Sequence, residues 1–146
     1  MSASSFKIYA SNQVSIIIAG IPIDGGYGED EFCKVAAVSD YFSDAVGTDG
    51  SVSRSNMNDR RGEVTITLMQ TADANDALSA LLTLDINASN GAGVGPLMIR
   101  DKSGRALYAA EHCWIAARPE AVFKKGAEGR AWKIRCANLE AFDGGN

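Results

Sequence analysis

The sequence predicts a mainly β fold, an antiparallel sandwich or barrel-like domain flanked by one α-helix. Three observations predict it. Short β-branched stretches recur between glycine turns; residues 63–69 alternate cleanly; and one segment switches to helical spacing. A chain of 146 residues suits a single domain over 1–146 and buries a core without disulfides or metal.

Taken in order, Gln13 to Ile18 is β-branched and apolar, as in a buried strand. Asp24-Gly25-Gly26-Tyr27-Gly28 is a turn, because glycine adopts positive φ without a steric penalty. Glu31 to Val38 is a second strand. Ser39 to Arg61 is polar and punctuated by Gly47 and Asp49-Gly50. A polar connection of this length is uncommon in a small domain unless it has a job. Its turn residues favour a defined conformation, an extended hairpin reaching beyond the domain.

Glu63 to Met69 gives the clearest strand signal, with Val64, Ile66 and Leu68 on one face and Glu63, Thr65 and Thr67 on the other. The helix follows, over about 73–86. Thr71 or Asp73 is expected to cap it, Asp73 and Asp76 suit its N-terminal end, and Ala74, Leu78, Leu81 and Leu82 form its apolar face. Leu97 to Asp101, Ala106 to Arg118 and Ala131 to Glu140 complete the strands. Lys102-Ser103-Gly104 turns the first of these into the second.

Charge and composition narrow the function. The net charge is -4, and it is uneven. Residues 1–99 carry 12 acids and 5 bases, whereas residues 100–146 carry 6 acids and 9 bases. An acidic protein is poorly suited to tight non-specific DNA binding. The N-terminus lacks the basic and apolar regions of a signal peptide, and the apolar run Ile16 to Ile23 is too short to span a membrane. Cys33, Cys113 and Cys136 are widely spaced, without a zinc-binding pattern, and are expected as free, largely buried thiols.

Enzymatic motifs fail on detail. Gly91-Ala92-Gly93-Val94-Gly95-Pro96 has Pro where a dinucleotide loop needs Gly, and it follows a helix instead of a strand. His112 and Cys113 are strand neighbours pointing to opposite faces, so they cannot form a nucleophile–base pair. Glu29-Asp30-Glu31 lacks a second carboxylate cluster to work with. No catalytic residue, metal or cofactor is expected. Arg54, Arg60 and Arg61, set among Ser53, Ser55, Asn56 and Asn58, fit a protein interface better than a nucleic-acid contact, because Asp49 and Asp59 offer the arginines partners nearby.

The ordered set of segments also resembles a known family. It comprises Gly25-Gly26-Tyr27-Gly28-Glu29-Asp30-Glu31-Phe32, Gly47-Thr48-Asp49-Gly50-Ser51-Val52-Ser53-Arg54-Ser55, Asn58-Asp59-Arg60-Arg61-Gly62, Val64 to Thr71, Asn75 to Leu81 and Ala110-Glu111-His112-Cys113-Trp114-Ile115. In this order they resemble the inner tail tube proteins of contractile-tailed bacteriophages, over about Val14 to Asn146. The resemblance implies a virion structural protein, assembled in the host bacterial cytoplasm, whose copies form hexameric rings stacked into a tube inside a sheath. Its implied partners are further copies of itself, the sheath protein, and the tape measure, baseplate and tail terminator proteins. Double-stranded DNA passes without tight binding, and the subunit binds no membrane. The segment 44–62 becomes the extended loop that contacts the next ring, through Asp49, Arg54, Asn58, Asp59, Arg60 and Arg61. The lumen is expected to be net negative, with Glu63 a candidate lining acid. A ring-forming tube or terminator subunit of a related injection or secretion machine is the alternative.

Overall fold

The computed structural model describes residues 6–28 and 31–145. Glu29 and Asp30 of the acidic cluster lie outside the described residues. Eight strands join in one antiparallel sheet: β1 (Val14–Ile18), β2 (Ile21–Pro22), β3 (Cys33–Ala37), β6 (Gly62–Met69), β7 (Gly95–Asp101), β8 (Leu107–Ala117), β9 (Gly129–Cys136) and β10 (Glu140–Phe142). Their order is β2-β1-β7-β8-β9-β6-β3, with β10 also paired to β8. Two further strands, β4 (Phe42–Val46) and β5 (Val52–Asn56), form a separate hairpin. The mainly β, antiparallel expectation with one helix is met.

Alternation places the core. Val64, Ile66 and Leu68 of β6 are fully buried. Across the ladder they meet Ile134 and Trp132 of β9, and beyond β9 lie Cys113 and Ile115 of β8. Ile16 and Ile18 of β1 pair with Ile99 and Leu97 of β7 on the same buried side. Each such side chain contributes roughly 1.5–3 kcal/mol by leaving water.

The helix α1 (Ala74–Asn87) sets Leu78 fully into this core, with Ala74, Leu81 and Leu82 packed at its margin. The expected capping does not occur. Asp73 occupies the N-cap with helical backbone and makes no side-chain capping bond. The first amides are met locally instead: Asn75 N–H donates to the Ala72 carbonyl at 3.2 Å and Asp76 N–H to that of Asp73 at 3.0 Å. Asn75 is the polar anchor. Its side-chain amide donates to the Met69 carbonyl at 2.9 Å, and its carbonyl accepts the Trp132 indole N–H at 2.9 Å. That pair locks the helix to both β6 and β9.

Two strands depart from simple alternation. Gly95 pairs with Cys113 and Leu97 with Ala110, so β8 carries one extra residue between its pairings. This bulge leaves both Glu111 and His112 exposed while Cys113 is buried. The expected strand from Ala131 to Glu140 is broken at Ala137–Leu139 into β9 and β10. Leu139 turns inward there, its N–H donating to the Arg60 carbonyl at 2.9 Å. A Cβ on Gly62 would sit 2.4 Å from the Leu139 side chain, so only glycine lets the chain pass.

Candidate assembly surface

The segment expected as an extended loop is the β4–β5 hairpin. Its five cross-strand pairs run from Phe42↔Asn56 to Val46↔Val52. Every strand residue is exposed. An isolated two-stranded ribbon is marginal in water, so its order comes from local devices at both ends.

At the tip, Gly47 N–H donates to the Ser51 carbonyl at 2.7 Å and Gly50 N–H to that of Gly47 at 3.0 Å. The Asp49 carboxylate accepts the Ser51 N–H at 3.0 Å, which lowers its pKa. Gly50 has φ +89°, which favours glycine. At the base, Asp59 is the hub. It accepts the Ser39 hydroxyl at 2.7 Å, and Arg61 through its Nε at 2.9 Å and an Nη2 at 2.8 Å. These donors hold the Asp59 carboxyl far below the usual range. Asn58 has φ 54°, a conformation asparagine tolerates, and its N–H donates to the Asn56 side chain at 3.0 Å.

The ribbon has two unlike faces, since cross-strand partners share a side. One carries Phe42, Asp44, Val46, Val52, Arg54 and Asn56; the other carries Ser43, Ala45, Ser53 and Ser55. The Arg54 guanidinium lies 3.8 Å from the centroid of the Phe42 ring. Between the hairpin base and β10 is a cleft of about 790 Å³ lined by Tyr41, Phe42, Asn58, Arg60 and Glu140, among others.

Of the six sequence-predicted contact residues, Asp49 and Arg54 sit on the hairpin and Asn58, Asp59, Arg60 and Arg61 at its base, in different situations. Asp49 builds the tip, and Asn58, Asp59 and Arg61 build the base. Arg54 stacks on Phe42, and Arg60 lines the cleft. Asp59 does supply an arginine's partner, as the spacing suggested; Asp49 instead holds a backbone amide. Sequence reasoning missed the apolar content: Tyr41, Phe42, Val46, Val52 and Met57 are all about half exposed or more. Val46 and Val52, placed symmetrically about the Gly47–Ser51 turn, were its available signal.

Glu63 lies elsewhere, on the solvent face of β6. Arg135 of β9 faces it in register and pairs with it at 2.9 Å. Lys34 and Lys133 flank Thr65 on the same face. Glu63 is thus a neutralised acid among bases.

Titratable groups elsewhere look structural. Burial pushes the half-buried Cys33 thiol up to about 12. Cys113 and Cys136 are buried and face each other across β8 and β9; a hydrogen bond to Cys136, and burial, push the Cys113 thiol up. Tyr108 is raised to about 12 by donating its hydroxyl to Asp143. Among the described residues no three His, Cys, Asp or Glu side chains gather to hold a metal, and no helix is long and apolar enough to cross a membrane.

Comparison with known proteins bears on the chain as a whole. The fold is similar to that in the cryo-EM structure of the anti-feeding prophage cap (AFP tube terminating cap), with a TM-score of 0.59 and 6% identity over 97% of this chain and 95% of that one. In sequence the chain is 34% identical to the structural protein ORF10 of Pseudomonas phage KPP10, over 99% of its own length and 86% of that protein. The family model described as the bacteriophage PhiTE tail tube protein matches residues 1–144. With a match of that extent, the chain belongs to this family of phage tail tube proteins, virion structural components.

Proposed function

We propose that this chain is the repeating subunit of the inner tube of a contractile phage tail. Its copies close into rings, six to a ring, and the rings stack into the conduit for genome ejection. One observation carries this reading: an ordered hairpin holds all ten of its strand residues against solvent, in a chain of a tail tube family. A ribbon stiffened at both ends yet lacking an intramolecular face to bury is suited to contact another subunit. Closing a ring pairs the free edges of β3 and β2 with neighbours, and the stack repeats one heterologous interface. Its partners on this reading are the sheath around the tube and the tape measure, baseplate and tail terminator proteins. Assembly takes place in the host bacterial cytoplasm.

A channel that lets DNA slide needs a lining that repels phosphate. The sheet face around Glu63 does not supply one, since Lys34, Lys133 and Arg135 outnumber that acid. The reading therefore sets the bore against another surface of the subunit. A ring reconstruction with the Glu63 face on the bore and a net basic wall overturns the repulsive-lining idea.

Electron microscopy of the purified protein tests the main reading. Open-ended tubes of constant bore are expected. A monomer that stays monomeric at high concentration overturns it. The likeness to a tube-terminating cap favours a second reading, a ring or terminator subunit of a related injection machine. That reading expects single rings or capped ends and no elongation.

A further inference from the structure

Topology places two exposed elements at opposite ends of β6. The β4–β5 hairpin leaves from the Gly62 end, where Gly62 pairs with Ala37. The β8–β9 loop, residues 118–128, lies at the Met69 end, where Met69 pairs with Gly129 and Gln70 N–H donates to the Glu128 carbonyl at 3.0 Å. Eight strand residues separate the two ends by about 23 Å.

The two elements complement each other. Residues 39–56 carry Asp40, Asp44 and Asp49 against Arg54. Residues 118–130 carry Arg118, Lys124, Lys125 and Arg130 against Glu120 and Glu128. Lys124 is spent on an ion pair with Glu128, while Lys125 and Arg118 have no ion pair among the described residues. Each element also exposes apolar side chains: Val46 and Val52 are 68% exposed on the ribbon, and Phe123 is 79% exposed on the loop. The Arg130 guanidinium, 5.9 Å from the Phe123 ring centroid, leaves most of that ring open.

We infer that the hairpin of one copy seats on the β8–β9 loop of a second copy, with Val46 and Val52 against Val122 and Phe123, and Asp44 beside Lys125. This rests on the tube reading and names the receiving surface for its projecting element. Opposite placement along β6 makes the contact head-to-tail, the heterologous kind that repeats from copy to copy. The acidic first part of the chain and its basic last part thereby meet between subunits.

The test is a cysteine pair, Val46→Cys with Phe123→Cys, in the full chain, treated with diamide as oxidant. A disulfide needs Cα atoms within roughly 7 Å; the non-reducing gel separates a link between subunits, which adds mass, from one within a subunit, which does not. The expected result is a ladder of covalent multimers on a non-reducing gel, absent for each single variant and for the unaltered chain. Lys125→Glu is expected to slow elongation about tenfold, because it sets like charges together, and adding Asp44→Lys is expected to restore it. Tubes of the cysteine variant that yield no ladder overturn this inference and leave the tube reading standing. An unaltered chain that forms no tubes overturns the tube reading itself.

Discussion

The β6–β9 ladder and the β4–β5 ladder are both antiparallel and both regular, yet they are stable for different reasons. In β6–β9 each inward residue meets others across the ladder, and Asn75 bolts a helix to the pair. In β4–β5 neither face is covered, and order comes from the Asp49 turn and the Asp59 base. The contrast teaches that regular backbone pairing is not itself a sign of self-sufficient folding. The first ladder is made by burial for the subunit. The second, on the assembly reading proposed above, is shaped in advance for contact outside the subunit, which lowers the entropy lost on association.

The sharpest way to break this contrast is a matched pair of truncations. Ile66→Ala, at a fully buried position, is expected to cost roughly 2–5 kcal/mol of subunit stability. Val52→Ala on the hairpin is expected to stay within about 0.5 kcal/mol. Urea unfolding under conditions that keep the subunit dispersed measures both, and a large loss at Val52 would show that the hairpin belongs to the subunit's own core. Next in size, Asn75→Ala strands the Trp132 indole N–H and the Met69 carbonyl, at about 1–3 kcal/mol. An unchanged urea midpoint would mean that water replaces the amide.

Arg60 sharpens the other side. Arg60→Glu should leave the unfolding midpoint unchanged but slow tube growth, read by light scattering. Growth at the original rate removes Arg60 from the interface. Arg61→Glu is a poorer probe, since it sets a second acid against Asp59 and loosens the hairpin base as well. A smaller effect concerns pH. Asp59 is depressed in the folded chain, so the stability it contributes is fully present above its unfolded value of about 3.9. That contribution fades as pH falls toward the folded value. Carbon NMR at pH 3 is expected to show Asp59 still ionised; Arg61→Gln should return it toward ordinary behaviour. The smallest effect is chemical. With its thiol pushed up to about 12, Cys33 is expected to resist iodoacetamide at pH 8 in the folded subunit and to react once unfolded.

Most of the fold was legible because periodicity reports burial. Residues 63–69 and the Ala74/Leu78/Leu81/Leu82 spacing each have one dominant face, and the structure uses both. The bulge in β8 left only a faint trace, Ala110 and Cys113 standing three apart around two polar residues, and its position depends on the pairing with Gly95, which local spacing does not report. The break at Ala137–Leu139 depends on Gly62, far away in the chain. The two-residue β2, with Pro22 at its end, offers too few residues for any period. For the candidate surface, the turn residues revealed a hairpin, but its exposed valines resembled ordinary strand-core residues. Glu63 sits on the polar side of its strand, as alternation required; its partner Arg135 is 72 residues away and invisible to spacing.

The Asp59 hub has one more consequence. It fixes the hinge between hairpin and sheet through donors from both sides of the base, Ser39 and Arg61. In a stack of rings, an angular error at this joint is inherited by every later layer, so small deviations add up to a visible bend. On the ring-stacking reading proposed above, a joint held by three side chains sets straightness within the single subunit.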